Sequence, residues 1–303
     1  MAKDMTRGRF APSPTGELHV GNLRTAMAAW QWAKSIDGDF IVRMEDLDRV
    51  TSSREHEAQQ LRDLAAIGLT WSLPVVRQSQ RFELYHAAIA ELTAAGRTYR
   101  CWCSRREIAE AASAPHGDVA AGYPGTCRSL SAHEIAERER SGQPAALRLR
   151  GDGVEREFDD GILGVVRGRT DDIVLRRRDG VPAYHVAVVV DDADQGVTHV
   201  LRGADLAEAT LSQLRLQEVL GLPTPTYAHI PLAVNANRDR LAKRDGAITL
   251  RQMMELGVDA ASVRDRLLES LGMGESRGMG GSLETGDGEF ALGRIPRDPW
   301  VVT

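Results

Sequence analysis

Hydrophobic and polar positions along the first hundred residues predict strands and helices in turn. Apolar residues recur at helical spacing from Leu23 to Ala33, and "DFIVRMED" predicts a buried strand that ends in carboxylates. Two more helices are predicted in "SREHEAQQLRDLAAIGL" and "RFELYHAAIAELTAAG", the second closed by Gly96, because glycine adopts the left-handed cap most easily. This β-loop-α-β beginning is typical of one half of a doubly wound α/β domain.

The pattern weakens in the middle of the chain and then returns. Between about Thr98 and Pro144 the periodicity is weak and all three cysteines occur, which predicts an inserted subdomain. Strand signals return at "AALRLR", "DIVLRRRDGVPAYHVAVVVDD" and "GVTHVLRG", and "ADLAEATLSQLRLQEVLGL" predicts an amphipathic helix. The second half of the α/β domain is therefore expected to follow the insertion.

These elements predict an α/β fold with a doubly wound, Rossmann-type parallel sheet. The expected parts are the first half of the main domain at residues 1–97, the insertion at 98–145, the second half at 146–250, a short helical segment at 251–273 and a flexible glycine-rich tail at 274–303.

Composition narrows the functional classes. The chain has 303 residues, 42% hydrophobic and 27% charged, which is ordinary globular composition. Its longest apolar run, Val186 to Val190, is far too short to cross a membrane, and the N-terminus has no apolar stretch of signal-peptide type. Three cysteines are too few for a disulfide scaffold, so a cytoplasmic protein is expected. With a net charge of −5, any nucleic-acid partner has to meet a local basic face.

The first loop with candidate chemistry is "RFAPSPTGELHVGN", residues 9–22. It leads from a strand into a helix that is expected to begin near Asn22, and the N–H groups at a helix N-terminus bind anions. His19 and Asn22 can donate hydrogen bonds to phosphate, and Gly21 would let a flat ring approach the backbone. A bend rich in glycine and proline is more often only a turn, so this loop alone does not distinguish a phosphate site from a turn.

A second loop, "NRDRLAKRDGAI" at residues 237–248, carries Lys243 among several arginines. Lys243 is one of three lysines in the whole chain. A solvated basic loop is the ordinary interpretation of such a charge run. The functional alternative is a mobile clamp whose ammonium group neutralises charge on a transferring phosphoryl or adenylyl group.

The cysteines suggest a metal site in the insertion. Cys101 and Cys103 lie one residue apart, and Cys127 follows at a distance. Three thiolates require a fourth ligand for tetrahedral zinc, whereas three reduced cysteines without metal are the alternative. Spacing alone leaves three residues for the fourth position, namely Tyr123, His116 and His133.

Several segments together resemble one enzyme family. "HVGN" and "RLAKR" are similar to the HIGH and KMSKS signatures of class I aminoacyl-tRNA synthetases. The chain resembles the glutamyl branch in particular, through "RFAPSPTGELHVGNLRTA", "MEDLDR", "AYHVAVVVDDADQGVTHVLRGADL" and "HIPLAVN" in the same order. That resemblance spans about Arg7 to Leu250, and several matched segments in order are more specific than one motif. The glutamyl branch continues into a long helical anticodon-binding region, so the resemblance is closest to its short paralogues.

The short paralogues activate L-glutamate without tRNA and transfer it to queuosine at the wobble position of tRNA(Asp). The resemblance therefore implies L-glutamate, ATP with Mg²⁺ and queuosine-containing tRNA(Asp) as partners, and a monomer is expected. Three alternatives stay open: a truncated glutamyl-tRNA synthetase that charges a tRNA 3′ end, a non-catalytic tRNA-binding paralogue, and a small-molecule adenylyl or nucleotidyl transferase.

The resemblance also implies residue roles. For glutamate it implies Arg9 and Arg202 at the side-chain carboxylate, with Ser13, Glu45 and Tyr184 around the α-amino end. For ATP it implies His19 and Asn22 at the phosphates, Gly21 on the adenine side, and Arg240 and Lys243 in the clamp, with Lys243 at the leaving pyrophosphate. For structural zinc it implies Cys101, Cys103, Tyr123 and Cys127, because "YPGTC" reproduces the Tyr-x-x-x-Cys arrangement of the family. The clamp departs from the family pattern, since Arg240 replaces the first lysine and Ala242 replaces the serine.

Overall fold

The structure, a computed structural model, describes residues 6–104, 106–108, 123, 125–239, 248–273 and 290–302. Its strands are β1 (Arg7–Phe10), β2 (Asp39–Met44), β3 (Ser72–Arg77), β4 (Thr98–Cys101), β5 (Ala146–Leu149), β6 (Glu155–Asp160), β7 (Gly164–Arg169), β8 (Ile173–Arg176), β9 (His199–Gly203), β10 (Thr226–Ile230), β11 (Ala233–Val234) and β12 (Trp300–Val301). Its helices are α1 (Val20–Ser35), α2 (Arg54–Ala66), α3 (Phe82–Ala94), α4 (Ala132–Arg140), α5 (Tyr184–Asp194), α6 (Ala207–Leu220), α7 (Leu250–Glu255) and α8 (Ala260–Ser270).

A five-stranded sheet forms the centre of the fold, in the order β10-β9-β1-β2-β3. All neighbouring strands in it are parallel. From β1 the chain continues outward through β2 and β3 on one side, and β9 and β10 extend the sheet on the other. The predicted doubly wound parallel sheet is confirmed, and its strand order reverses between β1 and β9.

The two faces of the sheet explain the buried strand patterns. Phe40 and Val42 of β2 belong to the core cluster that includes the buried residues of α1. Ile41, between them, belongs to a second cluster with Val200 of β9 and Leu214 of α6. Alternate side chains therefore enter opposite layers, as a sheet covered by helices on both faces requires.

Smaller sheets border this core. Strands β4, β5 and β8 form an antiparallel sheet, and β6 and β7 form a hairpin that contacts β10 and α6. Cys101 at the end of β4 pairs with Ala146 at the start of β5. The segment between these two residues therefore leaves and re-enters the domain at one point.

One predicted strand is wrong. The valine-rich run that begins at Tyr184 was expected to continue a strand, but it forms α5. Val186, Val188 and Val189 are all buried in one core cluster with residues of α3 and β8. A helix that is buried on most sides lacks the polar face that gives its sequence a period of 3.6. Its β-branched composition then predicts a strand in place of the helix. Among the described residues, no helix is long and apolar enough to cross a membrane.

The end of the chain packs against the core. Phe290 and Ile295 are buried in the main cluster, and β12 pairs with β11 in parallel. A flexible tail was expected over 274–303. At 290–302 this expectation is wrong, because the structure has a packed segment there. Residues 274–289 lie outside the described ranges.

Candidate active site

A cleft of about 720 Å³ opens at the carboxyl edge of the parallel sheet. It is lined by Arg9 of β1, Arg202 of β9, Glu45 just after β2, and the loop that precedes α1. The cleft thus lies where the strand order reverses, which is the usual ligand site of doubly wound sheets.

Hydrogen bonds from neighbouring elements hold the proline-rich loop that lines this cleft. The N–H of Glu45 donates to the Pro12 carbonyl at 2.9 Å. The buried Gln60 amide of α2 donates to the carbonyls of Ser13 and Gly16, at 3.1 and 2.7 Å. Because Gln60 of α2 and Glu45 after β2 bind three of its carbonyls, the loop is held in place as one wall of the cleft.

His19 caps the helix that follows the loop. Its Nδ1 accepts the N–H groups of Gly21 and Asn22 at 3.1 and 3.3 Å, and the Asn22 Oδ1 accepts the His19 N–H at 3.2 Å. Since Nδ1 is an acceptor, the imidazole proton is on Nε2 in the neutral ring. The Asn22 Oδ1 is likewise occupied, so its NH₂ group is the donor. Both side chains therefore present N–H donors at the helix N-terminus.

Gly21 lies at a tight contact. A Cβ at this position would lie 3.0 Å from the Ala233 Cβ and 3.0 Å from atoms of the His19 ring. A larger residue would therefore disturb both the cap and the packing of α1 against β11. The structure gives this reason for glycine in addition to the approach of a flat ring.

Buried charges converge on the floor of the cleft. The Arg9 Nε lies 3.5 Å from the Asp192 Oδ1, and the fully buried Arg43 places Nη1 at 2.8 Å from the same oxygen. The Arg43 Nη2 is 3.4 Å from the Glu45 Oε1. Burial raises the pKa of Glu45, against the opposing effects of Arg43 and Arg9. Burial also opposes ionisation of Asp192, but these two arginines outweigh it and lower its pKa. A ligand ammonium beside Glu45 would further favour its ionised form.

Arg202 lines the cleft from β9, the strand next to β1. It is buried, and its Nη2 donates to the Thr210 Oγ1 and the Gln213 Oε1, both at 2.7 Å. Its Nη1 lies 3.5 Å from the Tyr184 hydroxyl, whose pKa is raised by burial and by the nearby Glu45. These contacts fix one edge of the guanidinium and leave the other edge toward the cleft.

The second basic loop begins and ends at described residues. Its core, residues 240–247 with Arg240, Ala242 and Lys243, lies outside the described ranges. On the far side, the Ile248 carbonyl accepts the Val20 N–H at 3.0 Å, and Thr249 forms a β-bridge with His19. The end of this loop is therefore held against the N-terminus of α1.

The structure brings most of the predicted ligand residues into one cleft. Its lining includes Arg9, Ser13, His19, Gly21, Asn22, Glu45, Tyr184 and Arg202. Sequence reasoning missed Arg43 and Asp192, although Arg43 is a charged residue between apolar neighbours of β2, which signals a buried ion pair.

The predicted metal site is a compact cluster. The Sγ atoms of Cys101, Cys103 and Cys127 all lie within 4.8 Å of one another. Zinc–sulfur bonds of about 2.3 Å place tetrahedral sulfur ligands about 3.8 Å apart, so the arrangement is compatible with zinc. In the part of the chain that the structure describes, this cluster contains no histidine.

The hydroxyl of Tyr123 lies beside this cluster. Its hydroxyl is 3.4 Å from the Cys101 Sγ, 3.8 Å from the Cys103 Sγ, and accepts the Cys127 N–H at 2.9 Å. Of the other two candidates, His133 is exposed on α4 and His116 lies outside the described residues. The geometry therefore favours the tyrosine.

Comparisons with known proteins show the family of the chain. The family model for class I tRNA synthetases (E and Q), catalytic domain, matches residues 5–276. A glutamyl-Q tRNA(Asp) synthetase from Nocardia farcinica is 52% identical over 98% of this chain and 93% of its own length. One of the same name from Cutibacterium acnes is 47% identical over 88% of this chain and 76% of its own.

Among solved structures, a glutamate tRNA ligase from Elizabethkingia meningosepticum, in complex with its amino acid, is 30% identical with a TM-score of 0.69. The match covers 80% of this chain and 52% of the ligase, so the chain spans about half of that protein's length. The chain belongs to the class I tRNA synthetase family, in the branch formed by these glutamyl-Q tRNA(Asp) synthetase relatives. Membership of this ligase family implies ATP with Mg²⁺ as a substrate.

Proposed function

We propose that this chain activates L-glutamate with ATP in the absence of tRNA and transfers the glutamate to queuosine at the wobble position of tRNA(Asp). One observation carries the proposal: Arg9, Arg202 and Glu45 converge at the switch point of the sheet. Glutamate carries two carboxylates and one ammonium, so a selective pocket requires cations and an anion in this combination. The names of the two relatives supply the acceptor, a queuosine-containing tRNA(Asp).

In this proposal Arg9 and Arg202 bind the side-chain carboxylate of glutamate. Glu45, with Ser13 and Tyr184, binds the α-amino end. The Nη1 edge of Arg202 donates N–H groups, which suit a carboxylate and oppose the NH₂ group of a glutamine amide. The same edge thus provides both affinity and selectivity.

The ATP phosphates are assigned to the N-terminus of α1. The Nε2–H of His19 and the NH₂ group of Asn22 donate to phosphate oxygens, and Gly21 lies on the adenine side. Lys243 and Arg240 belong to the loop whose end is bonded to Val20, and they neutralise the leaving pyrophosphate. Mg²⁺ is held mainly by phosphate oxygens and water.

Activation requires no acid or base from the protein. The carboxylate of glutamate attacks the α-phosphorus of ATP, the new P–O bond forms as the bond to pyrophosphate breaks, and glutamyl-adenylate results. Charge grows on the phosphoryl oxygens, so the residues of the cleft act by positioning and charge stabilisation. The cleft accordingly combines fixed donors and cations.

The cysteine cluster is assigned a structural role. Cys101, Cys103, Cys127 and Tyr123 would hold zinc, which supplies no chemistry to the reaction and cross-links the insertion. A tRNA substrate also implies a cytoplasmic location. Both are parts of the same proposal.

Transfer of radiolabelled glutamate tests the function. The purified chain is incubated with ATP and tRNA(Asp) that carries or lacks queuosine, and each tRNA is used with and without its 3′ adenosine. Labelling that requires queuosine and survives loss of that adenosine is the expected result. Absence of labelling together with absence of glutamate-dependent ATP–pyrophosphate exchange would indicate a non-catalytic tRNA-binding protein.

A second candidate is conventional charging of a tRNA 3′ end, which the 30% identity to a glutamate tRNA ligase favours. Labelling of tRNA(Glu) that disappears with the 3′ adenosine would support it and overturn the wobble acceptor. Exchange with carboxylates or amines other than glutamate would instead indicate a small-molecule adenylyl transferase.

A further inference from the structure

A buried histidine contacts the arginine that faces the cleft. Arg202 and His229 are direct neighbours across the parallel pair β9 and β10. The Arg202 Nε–H donates to the His229 Nε2 at 3.0 Å, which requires a lone pair on that ring nitrogen. The ring proton is therefore on Nδ1, and it donates to the Asp160 Oδ2 at 2.6 Å. The three side chains form one buried chain of hydrogen bonds.

Asp160 is itself fixed by backbone groups. Its Oδ1 accepts the N–H groups of Ile162 and Leu163 at 3.0 and 2.9 Å, and that of His229 at 3.0 Å. Asp160 ends β6, so the turn of the β6–β7 hairpin supplies two of these donors. A carboxylate in this position can only accept, and it determines which ring nitrogen of His229 carries the proton.

The rest of the guanidinium is equally constrained. The Arg202 Nη2 is held by Thr210 and Gln213 of α6. The Nη1 is left with one long contact among the described residues, 3.5 Å to the Tyr184 hydroxyl. Acceptors on two sides thus fix the plane of the guanidinium and direct the Nη1 edge into the cleft.

We infer that Asp160 and His229 are positioning residues that orient Arg202 and thereby set the selectivity of the cleft for a carboxylate over an amide. This inference rests on the proposed function, in which Arg202 binds the substrate carboxylate. Neither residue lines the cleft. They act on Arg202 through the tautomer of the His229 ring.

Asp160→Asn tests this directly. The three backbone N–H groups keep the amide oxygen, so the NH₂ group faces His229 Nδ1, which becomes an acceptor. The ring proton then moves to Nε2 and opposes the Arg202 Nε–H. We expect the KM for glutamate in ATP–pyrophosphate exchange to rise about tenfold to a hundredfold, with the KM for ATP unchanged within about twofold and discrimination against glutamine reduced. Asp159→Asn is the matched control, because it removes the same charge from an exposed position of β6.

A double substitution separates positioning from simple damage. In His229→Gln the amide oxygen can accept the Arg202 Nε–H whatever residue occupies position 160. Asp160→Asn should then add less than about twofold in the His229→Gln background. Equal effects of Asp160→Asn in both backgrounds would overturn the inference, since they would indicate a general role in the β6–β7 turn.

The ring nitrogens give a readout that does not depend on activity. Long-range ¹H–¹⁵N spectra of the whole chain should show His229 protonated on Nδ1, and on Nε2 in the Asp160→Asn variant. A wild-type ring protonated on Nε2 would overturn the inference. Absence of glutamate-dependent exchange in the wild-type protein would instead contradict the proposed function, and the spectra would still decide the tautomer.

Discussion

The side chains that face the candidate ligand are ordered by other buried charges. Arg43 is fully buried and lies 2.8 Å from Asp192 and 3.5 Å from Asp191. Asp192 in turn lies 3.5 Å from Arg9. Removing one partner of such a pair leaves an uncompensated buried charge, which costs about 3–5 kcal/mol. Tests of the cleft at this scale therefore leave Arg43 and Asp192 unchanged and include a check of folding.

Arg202→Gln should weaken selection of glutamate over glutamine. The substitution removes the N–H donors that face the cleft, and a charge-assisted hydrogen bond contributes about 1.5–3 kcal/mol. We expect the ratio of kcat/KM for glutamate to that for glutamine to fall about tenfold or more in ATP–pyrophosphate exchange. Arg167→Gln on the exposed face of β7 is the control, with thermal unfolding to verify folding. Full selectivity in Arg202→Gln would assign Arg202 a structural role only.

At the residue scale the sequence predicts the ligand-facing groups better than their supports. Arg9, Glu45 and Arg202 follow from the family resemblance, and the structure places all three in the cleft. His229 begins the "HIPLAVN" segment of the resemblance but receives no role from it, Asp160 carries no motif, and 68 residues lie between them in the chain. Their pairing depends on the register of β10 and the position of the β6–β7 turn, which a single sequence does not specify.

The N-terminus of α1 joins two loops at the scale of elements. His19 caps the helix, and Val20 and His19 are bonded to Ile248 and Thr249 at the end of the basic loop. The proposed phosphate site and the proposed clamp therefore share one anchor.

Lys243→Ala should lower the rate of activation more than the affinity for glutamate. The ammonium group matters most when charge develops on the leaving pyrophosphate, so its loss affects the transition state. We expect kcat of ATP–pyrophosphate exchange to fall about a hundredfold, with the dissociation constant of glutamate unchanged within about twofold by calorimetry. Lys34→Ala at the other end of α1 is the control. An unchanged exchange rate would remove Lys243 from the clamp.

The insertion provides a second test at this scale. In Tyr123→Phe the ring keeps its contact with the Arg148 guanidinium, 3.9 Å from the ring centroid, but loses the hydroxyl beside the thiols. We expect the chelator concentration that removes half of the bound zinc to be at least about tenfold lower for the variant than for the wild type. Ser104→Ala, which removes a hydroxyl next to Cys103, is the control. Wild-type zinc retention by Tyr123→Phe would exclude the tyrosine as a ligand.

Elements were predicted best where one face is polar. Helices α2, α3 and α6 show clear periodicity, and all three lie in their predicted segments. The exception is α5, whose buried valines resemble a strand. The same helix brings Tyr184 to the cleft and places Asp192 beside Arg9.

At the scale of the whole molecule, residues 290–302 pack against the α/β domain. The buried Arg24 of α1 donates to the Pro231 carbonyl at 2.7 Å and to the Ser270 hydroxyl and carbonyl at 3.0 and 3.1 Å. Trp300 of β12 lies beside the same guanidinium, with 5.7 Å between its ring centroid and the Arg24 Cζ. Short strands and turns of this kind have too few residues for a periodic signal, so the packing of 290–302 depends on tertiary contacts. Stability of the whole domain is therefore coupled to this segment.

Buried histidines make that stability depend on pH. Burial lowers the pKa of His185 to about 4, with Arg202 adding to the effect, and its Nδ1 is buried without a hydrogen-bond partner among the described residues. In the unfolded chain a histidine has a pKa of about 6.5. As the pH falls below that value, His185 binds a proton in the unfolded state but not in the folded state. The free energy of unfolding therefore declines until the pH reaches the pKa of His185 in the folded state.

Urea unfolding of the wild type between about pH 6.5 and 4.5 should thus show a loss of free energy on the order of 2–3 kcal/mol from this residue. His185→Gln should show a smaller decline, because the amide does not titrate. The carboxyl groups of Asp160 and Asp192 have lowered pKa values, so they affect stability only at more acid pH. His133→Gln, an exposed position on α4, should retain the wild-type slope. Equal slopes for the wild type and His185→Gln would show that the pKa of His185 is the same in the folded and the unfolded protein, so that burial beside Arg202 does not oppose its protonation.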